Sequence, residues 1–202
     1  NVCRTIVDTH FLYIVPCYGK ILCKMTLISE KIVVTAKELL SEKNINDCLE
    51  LNEPMFQAKL AQFNWDLPFA SASLTCEIIW KIAIGRNSLS EWSQLDKLFS
   101  PSPIATHSNF RGCRDYKTGN IPELGALAFW KRGNSWQGHM GVVISVSEDK
   151  TEFDIIDGRI LTGSDSNFIQ ITESKGKKTG LPFKNDKLNL MGFVYPKNRE
   201  IS

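Results

Sequence analysis

The sequence predicts an α+β protein in which N-terminal helices pack on an antiparallel β-sheet. In the first half, Ile32, Ala36 and Leu39 recur at helical spacing, and residues 70–84 (ASASLTCEIIWKIAI) are apolar on nearly every side, as in a buried helix. The second half consists of short apolar or alternating runs separated by Gly, Asn, Asp and Ser, which is typical of antiparallel strands. Because the helices precede the strands, the chain is expected to form an α+β layer structure rather than alternating βαβ units.

Four helices are predicted. Ser29 is expected to cap the first, and Asn52-Glu53-Pro54 starts a second that includes residues 55–63. The third covers residues 70–84. The fourth covers residues 87–99 and is ended by the Ser-Pro repeat that follows.

Five strands are predicted after the helices. They cover residues 124–130, 139–146, 152–156, 168–172 and 188–195. The lysine-rich stretch 173–187 is predicted to be a solvated loop.

Length and composition favour one ordinary globular domain. The chain has 202 residues, of which 43% are hydrophobic and 23% charged, and a net charge of +2. That charge is too small to indicate nucleic-acid binding, which calls for a concentrated basic surface. The apolar run at residues 11–16 is far shorter than the roughly 20 residues that span a bilayer, so no membrane span is predicted.

The N-terminal segment is expected to differ from the rest. Met25 is followed by a helix-start pattern, which predicts a folded domain over residues 25–202 and an extension, native or added, over residues 1–24. An ordinary N-terminal strand is the alternative, and the two weigh about equally. Residues 1–24 also lack a basic start and a small-residue cleavage site, so they are a poor signal peptide.

The six cysteines contain no CxxC pair, which disfavours a zinc ribbon or a redox motif. A reduced protein is expected, although four of the six precede residue 50 and a disulfide there stays open. One histidine near Asp154 and Asp157 is a poor zinc set, so neither a metal nor a cofactor is predicted.

His139 is the strongest candidate for chemistry among the three histidines. His10 lies in the N-terminal segment, and His107 lies in a Pro/Ser/Thr/Asn-rich loop and is expected at the surface. His139 follows Gly138 at the start of a strand, where its ring can face a cleft. Taken alone, a histidine in that position is more often structural than catalytic.

Two motifs favour a catalytic role for His139. Residues 125–130 (GALAFW) and 138–143 (GHMGVV) resemble the hallmark of the NlpC/P60 and CHAP families, which are papain-like peptidoglycan hydrolases. Asp157-Gly158 is similar to the segment that supplies the third catalytic residue, although Arg159 stands where the family usually has Asn. Residues 192–196 (GFVYP) look like the last strand of CHAP-type amidases. The resemblance covers roughly residues 30–196 and implies a papain-like fold with His139 as base and Asp157 as its orienting partner.

The chain departs from the family at the nucleophile. The family motif "PWCA" at the head of the buried helix aligns with Pro68-Phe69-Ala70-Ser71, which puts Ala70 at the position of the catalytic cysteine. Three explanations compete. The favoured one is an engineered Cys-to-Ala substitution that inactivates the enzyme, and the second is a natural pseudoenzyme that binds wall peptides without cutting them. The third, a nucleophilic Cys76 or Ser71, is disfavoured for Cys76 because it lies deep in the apolar helix and faces away from position 70.

The resemblance also implies a setting. The substrate would be the peptide stems of peptidoglycan, cleaved by Cys-His-Asp catalysis without a cofactor. Action would be in the periplasm or the extracellular cell wall, after delivery by a secretion or lysis system. Phage lysins, autolysins and secreted toxins all fit, as does a papain-like peptidase acting on proteins, and a toxin would be blocked by an immunity protein.

Overall fold

The computed structural model describes residues 27–41, 68–85, 89–135, 137–162, 167–177 and 188–197. Within these ranges there are four helices: α1 (Leu27–Ser41), α2 (Pro68–Ile84), α3 (Leu89–Leu98) and α4 (Pro103–Gly112). Six strands follow: β1 (Thr118–Gly119), β2 (Leu127–Arg132), β3 (Gly138–Val146), β4 (Glu152–Thr162), β5 (Asn167–Lys177) and β6 (Leu188–Val194). The predicted α+β class, with helices first and strands second, is confirmed.

The six strands form one antiparallel sheet in the order β1-β6-β2-β3-β4-β5. β2, β3, β4 and β5 are neighbours in chain order, so each joins the next by a hairpin connection. β6 returns to the other side of β2, and the short β1 pairs with its outer edge. The sheet therefore has the strands of the His139 motif, β2 and β3, near its centre.

The helices cover one face of the sheet. α2 packs on β3 and β4, α1 packs on α2, and α4 packs on β2 and β3. Burial is complete at the centre of this layer, where Trp80 of α2 meets the rings of Phe99, Phe110 and Tyr116. The near-uniform apolar character of α2 is explained by this position between α1 and the sheet.

A second, smaller cluster lies on the opposite face of the sheet. Trp130 and Phe153 are stacked there at 5.9 Å between ring centroids, and Phe153 meets Phe193 edge-on at 5.2 Å. All three rings are essentially buried. Alternation along the strands separates the two faces: Phe129 and Met140 belong to the helix-covered core, whereas Trp130 belongs to the second cluster.

Several predicted boundaries need correction. α1 already begins at Leu27, so Ser29 lies in its first turn instead of capping it. α4 was not predicted, because the Ser-Pro repeat was interpreted only as the end of the preceding helix. It is also a helix start: the Ser102 hydroxyl accepts a hydrogen bond from the Ala105 N–H at 3.4 Å, and Pro103 occupies the first turn.

In the sheet, β4 and β5 are longer than predicted, since their hairpin pairs continuously from Glu152↔Lys177 to Thr162↔Asn167. The expected loop from residue 173 is therefore strand as far as Lys177. The helix predicted to include residues 55–63 and the segment 1–24 lie outside the described residues. Within the described part, none of the helices is long and apolar enough to cross a membrane.

Candidate active site

His139 and Asp157 meet across the neighbouring strands β3 and β4. The Nε2 atom of His139 lies 2.7 Å from Oδ2 of Asp157, within hydrogen-bonding distance. The carboxylate is completely buried, and the imidazole is 15% exposed. In the neutral tautomer that donates from Nε2 to the carboxylate, the lone pair that can accept a proton is on Nδ1.

Asp157 is held from the other side by Thr172. Asp157 of β4 and Thr172 of β5 are direct cross-strand partners, and the threonine hydroxyl donates to Oδ1 while His139 occupies Oδ2. A buried carboxylate needs such partners, because removing the charge from water is costly. Thr172 was not among the predicted site residues: only the β4–β5 register places it here, and a single sequence does not contain that register.

The strands β3 and β4 separate at this site. Their ladder runs from Val146↔Phe153 to Val142↔Ile156. Among the described residues, no ladder pair joins residues 138–141 to residues 157–162, although β2 remains paired with β3 as far as Gly138. His139 and Asp157 therefore face each other across an opening between the strands.

The N-terminus of α2 reaches this opening. The Ser71 hydroxyl donates to the carbonyl oxygen of Gly158 at 2.9 Å, thus contacting the residue that follows Asp157. Ser71 lies in the first turn of α2, directly after Ala70. By alternation, His139 and Asp157 project from the face that carries Trp130, whereas the body of α2 covers the other face. The Ser71–Gly158 hydrogen bond places the helix start next to the residue that follows Asp157.

Gly138 is a steric requirement of the same region. A Cβ on this residue would lie 2.6 Å from the Trp130 carbonyl oxygen and 3.0 Å from a side-chain carbon of Ile104. The missing side chain lets β3 begin tightly between β2 and α4. His139, the next residue, is thereby fixed at the start of the strand.

Neither alternative nucleophile is well placed. Cys76 is fully buried, and burial, reinforced by the negative charge of Asp157, raises the pKa of its thiol well above the ordinary value. A thiol of that kind is unreactive. Ser71 is 1% exposed, and its hydroxyl donates to the Gly158 carbonyl oxygen.

The other histidine of the described chain is structural. His107 was predicted in a surface loop, and this was wrong: it lies in α4, is 6% exposed, and packs its ring 5.0 Å from that of Phe129. Burial, with a smaller effect of the Arg111 charge, lowers the pKa of His107. The Pro/Ser/Thr/Asn-rich composition around His107 predicts a loop unless the helix start at Ser102 is recognised.

Other polar, aromatic and thiol side chains lie outside the hydrogen-bonded pair. Trp130 is buried, and its ring centroid lies 6.0 Å from that of His139. Asp115 and Glu123 line a polar cleft of about 620 Å³ near the C-terminal end of β6, together with Lys117, Tyr195 and Lys197.

Cys76 and Cys113 are free thiols, and the other four cysteines lie outside the described residues. Among the described side chains, no group of three or more His, Cys, Asp or Glu could hold a metal ion.

Comparisons with family models, with curated proteins and with solved structures gave no match to this chain. The interpretation of the site therefore depends on its own geometry and on the motif resemblance.

Proposed function

We propose that this chain is built on the plan of a papain-like cysteine hydrolase that cleaves amide bonds in the peptide stems of peptidoglycan. In this plan His139 is the general base, Asp157 orients it, and position 70 is that of the nucleophile. The observation that supports the proposal most directly is the 2.7 Å hydrogen bond between His139 Nε2 and Asp157 Oδ2 at the opening reached by α2. The cell-wall substrate comes from the motif resemblance.

The start of α2 suits a thiolate. Its first-turn backbone N–H groups have no partner within the helix, and the helix dipole favours negative charge there. A cysteine at position 70 would lose its proton to Nδ1 of His139, and the sulfur would bond to the carbonyl carbon of the substrate. The same N–H groups would stabilise the oxyanion that forms.

The second half of the reaction returns the proton. His139 would donate it to the leaving amine as the C–N bond breaks, leaving a thioester on the sulfur. Water, deprotonated by His139, would then attack the thioester carbonyl, releasing the carboxylic acid and restoring the thiol. Asp157 would stabilise the imidazolium in both halves through its bond to Nε2.

Ala70 has no side-chain atom that can attack the carbonyl carbon of the substrate, and this favours a second candidate function. A chain of this sequence would bind stem peptides or a protein partner without cutting them. The two candidates share the cleft and differ only in whether a cysteine at position 70 completes a working enzyme. For the hydrolase, the site of action would be the periplasm or the external cell wall, and an immunity protein would act by covering the same cleft.

The decisive experiment is to install the missing thiol. Ala70→Cys is expected to release soluble peptides or new amino groups from purified sacculi, whereas the unaltered chain releases none. Ala70→Cys/His139→Ala should lose this activity by a factor of about 10² to 10⁴, the usual contribution of a general base. Ala70→Ser serves as a matched control that restores a hydroxyl but not a readily ionised nucleophile.

Two outcomes would count against the enzyme. One is the absence of cleavage by a folded Ala70→Cys variant, and the other is activity that survives loss of His139. If the unaltered chain nevertheless sediments with sacculi, the binding module is favoured. If it neither binds nor cuts, both candidates fail.

A further inference from the structure

The carboxylate of Asp157 has two hydrogen-bond partners, and only one of them is the proposed base. His139 occupies Oδ2, at 2.7 Å from its Nε2, and the hydroxyl of Thr172 donates to Oδ1. Arg159 also approaches Oδ1, but its Nε is 3.9 Å away, beyond hydrogen-bonding distance. Thr172 is therefore the partner that holds the carboxylate on the side away from the imidazole.

The backbone holds Asp157 from the side of Thr172 as well. The ladder between β4 and β5 runs through Asp157↔Thr172 without a break. The ladder between β3 and β4 ends at Val142↔Ile156, so among the described residues no ladder pair joins the two strands at the level of His139. The place of Asp157 relative to His139 therefore depends on β5 rather than on direct pairing with β3.

Backbone pairing alone does not fix the orientation of the carboxylate. The terminal torsion of an aspartate side chain is broad and roughly twofold, so the group can rotate about its last bond. A single hydrogen bond from His139 leaves this rotation available, whereas a second bond to the other oxygen restricts it. With the Thr172 hydroxyl on Oδ1, Oδ2 stays directed at the imidazole.

We infer that Thr172 is a positioning residue for the base. Its hydroxyl keeps the Asp157 carboxylate turned toward His139, and the carboxylate in turn holds the imidazole with Nδ1 available to take a proton. The catalytic consequence of this inference rests on the proposed function. If the carboxylate rotated away, the imidazolium formed in the reaction would lose its counter-charge. Loss of the hydroxyl should therefore slow bond cleavage and leave substrate binding unchanged.

The same sheet contains a matched control. Ser145 of β3 and Asp154 of β4 are cross-strand partners, and the serine hydroxyl donates to Oδ2 of Asp154 at 2.5 Å. Both residues are half-buried. Ser145→Ala therefore removes a hydroxyl–carboxylate hydrogen bond of the same kind without removing a partner of Asp157.

The first measurement is the NMR signal of the His139 Nε2–H proton in the unaltered chain, which requires no activity. A ring proton bonded to a buried carboxylate is expected at low field and protected from exchange with water. Its absence from His139→Gln assigns it. Thr172→Val should shift this signal upfield or remove it by exchange, whereas Thr172→Ser and Ser145→Ala should keep it. The amide signals show whether each variant is folded, and Thr172→Ala replaces the valine variant if that one is not.

The second measurement is cleavage of a soluble stem peptide in the Ala70→Cys background. Adding Thr172→Val should lower kcat about 10- to 100-fold, the rate equivalent of one charge-assisted hydrogen bond, and leave KM nearly unchanged. Adding Thr172→Ser instead should preserve most of the rate. Adding Ser145→Ala should leave kcat unchanged.

An unmoved Nε2–H signal in Thr172→Val, or an unchanged kcat, overturns the inference and leaves Thr172 a purely structural role. An equal fall in kcat with Ser145→Ala also overturns it, because the effect would then belong to the stability of the sheet. Absence of cleavage by Ala70→Cys itself counts against the proposed function. In that case the Nε2–H signal alone decides whether Thr172 positions the pair.

Discussion

Asp157 is the most constrained charged residue of the candidate site. Its carboxylate is fully buried, with His139 on one oxygen and Thr172 on the other. His139 and Asp157 could be named from the motif resemblance, and the structure brings their side chains into hydrogen-bonding contact. Thr172 could not be identified from the sequence, because nothing distinguishes it from other threonines in an alternating strand. Its importance comes from the residue that it faces, and cross-strand register is a property of the folded sheet.

Thr172→Val is expected to destabilise the protein by about 1–3 kcal/mol, since it leaves a buried carboxylate oxygen without its donor. Valine has nearly the same shape, so the change isolates the hydrogen bond. The measurement is urea unfolding followed by tryptophan fluorescence. Thr172→Ser keeps the hydroxyl and should lose much less stability. Equal stability of Thr172→Val and the unaltered protein would show that the hydroxyl does not support Asp157.

At the scale of elements, α2 contains a buried charge system that is separate from the His139–Asp157 pair. The sequence shows a helix with almost no polar face, yet Glu77 and Lys81 are both 1% exposed within it. The Lys81 ammonium lies 2.9 Å from Glu77 and 2.5 Å from Asp96 of α3, and 5.3 Å above the ring of Trp92. Although burial opposes the charge, the two carboxylates raise the pKa of Lys81. The i,i+4 spacing was visible in the sequence, whereas the contribution of α3 was not.

Lys81→Met should destabilise the fold by about 3–5 kcal/mol, because it leaves the Glu77 carboxylate buried without a counter-charge. The double variant Glu77→Leu/Lys81→Met should recover most of that loss, since it removes both charges and keeps the volume. Lys97→Met, an exposed site on α3, provides the control. Chemical unfolding of these three variants and the unaltered protein measures the differences in stability. A double variant less stable than Lys81→Met would contradict the electrostatic explanation.

For the whole molecule, the predictable part was the order of helices and strands. Hydrophobic periodicity is local, and it located α2 and β3 to within two residues at each end. What it missed is non-local: β1 is recognised only by its pairing with β6, and the long β4–β5 hairpin extends through polar residues because each strand supports the other. The opening between β3 and β4, on which the candidate site depends, likewise appears only in the assembled sheet.

Cys76 offers a probe of this assembled core. Cys76 lies on α2 and is fully buried in the helix-covered core. Alkylation therefore requires the helix layer to separate from the sheet. Cys113 is half-buried and serves as an internal reference on the same molecule. We expect iodoacetamide to label Cys76 at least about a thousandfold more slowly than Cys113, with a rate that rises with urea as global unfolding does. Mass spectrometry of the separate peptides distinguishes the two thiols from the other cysteines. Rapid labelling of Cys76 in the folded protein would refute its burial and restore it as a candidate nucleophile, and the role proposed for position 70 would then have to be abandoned.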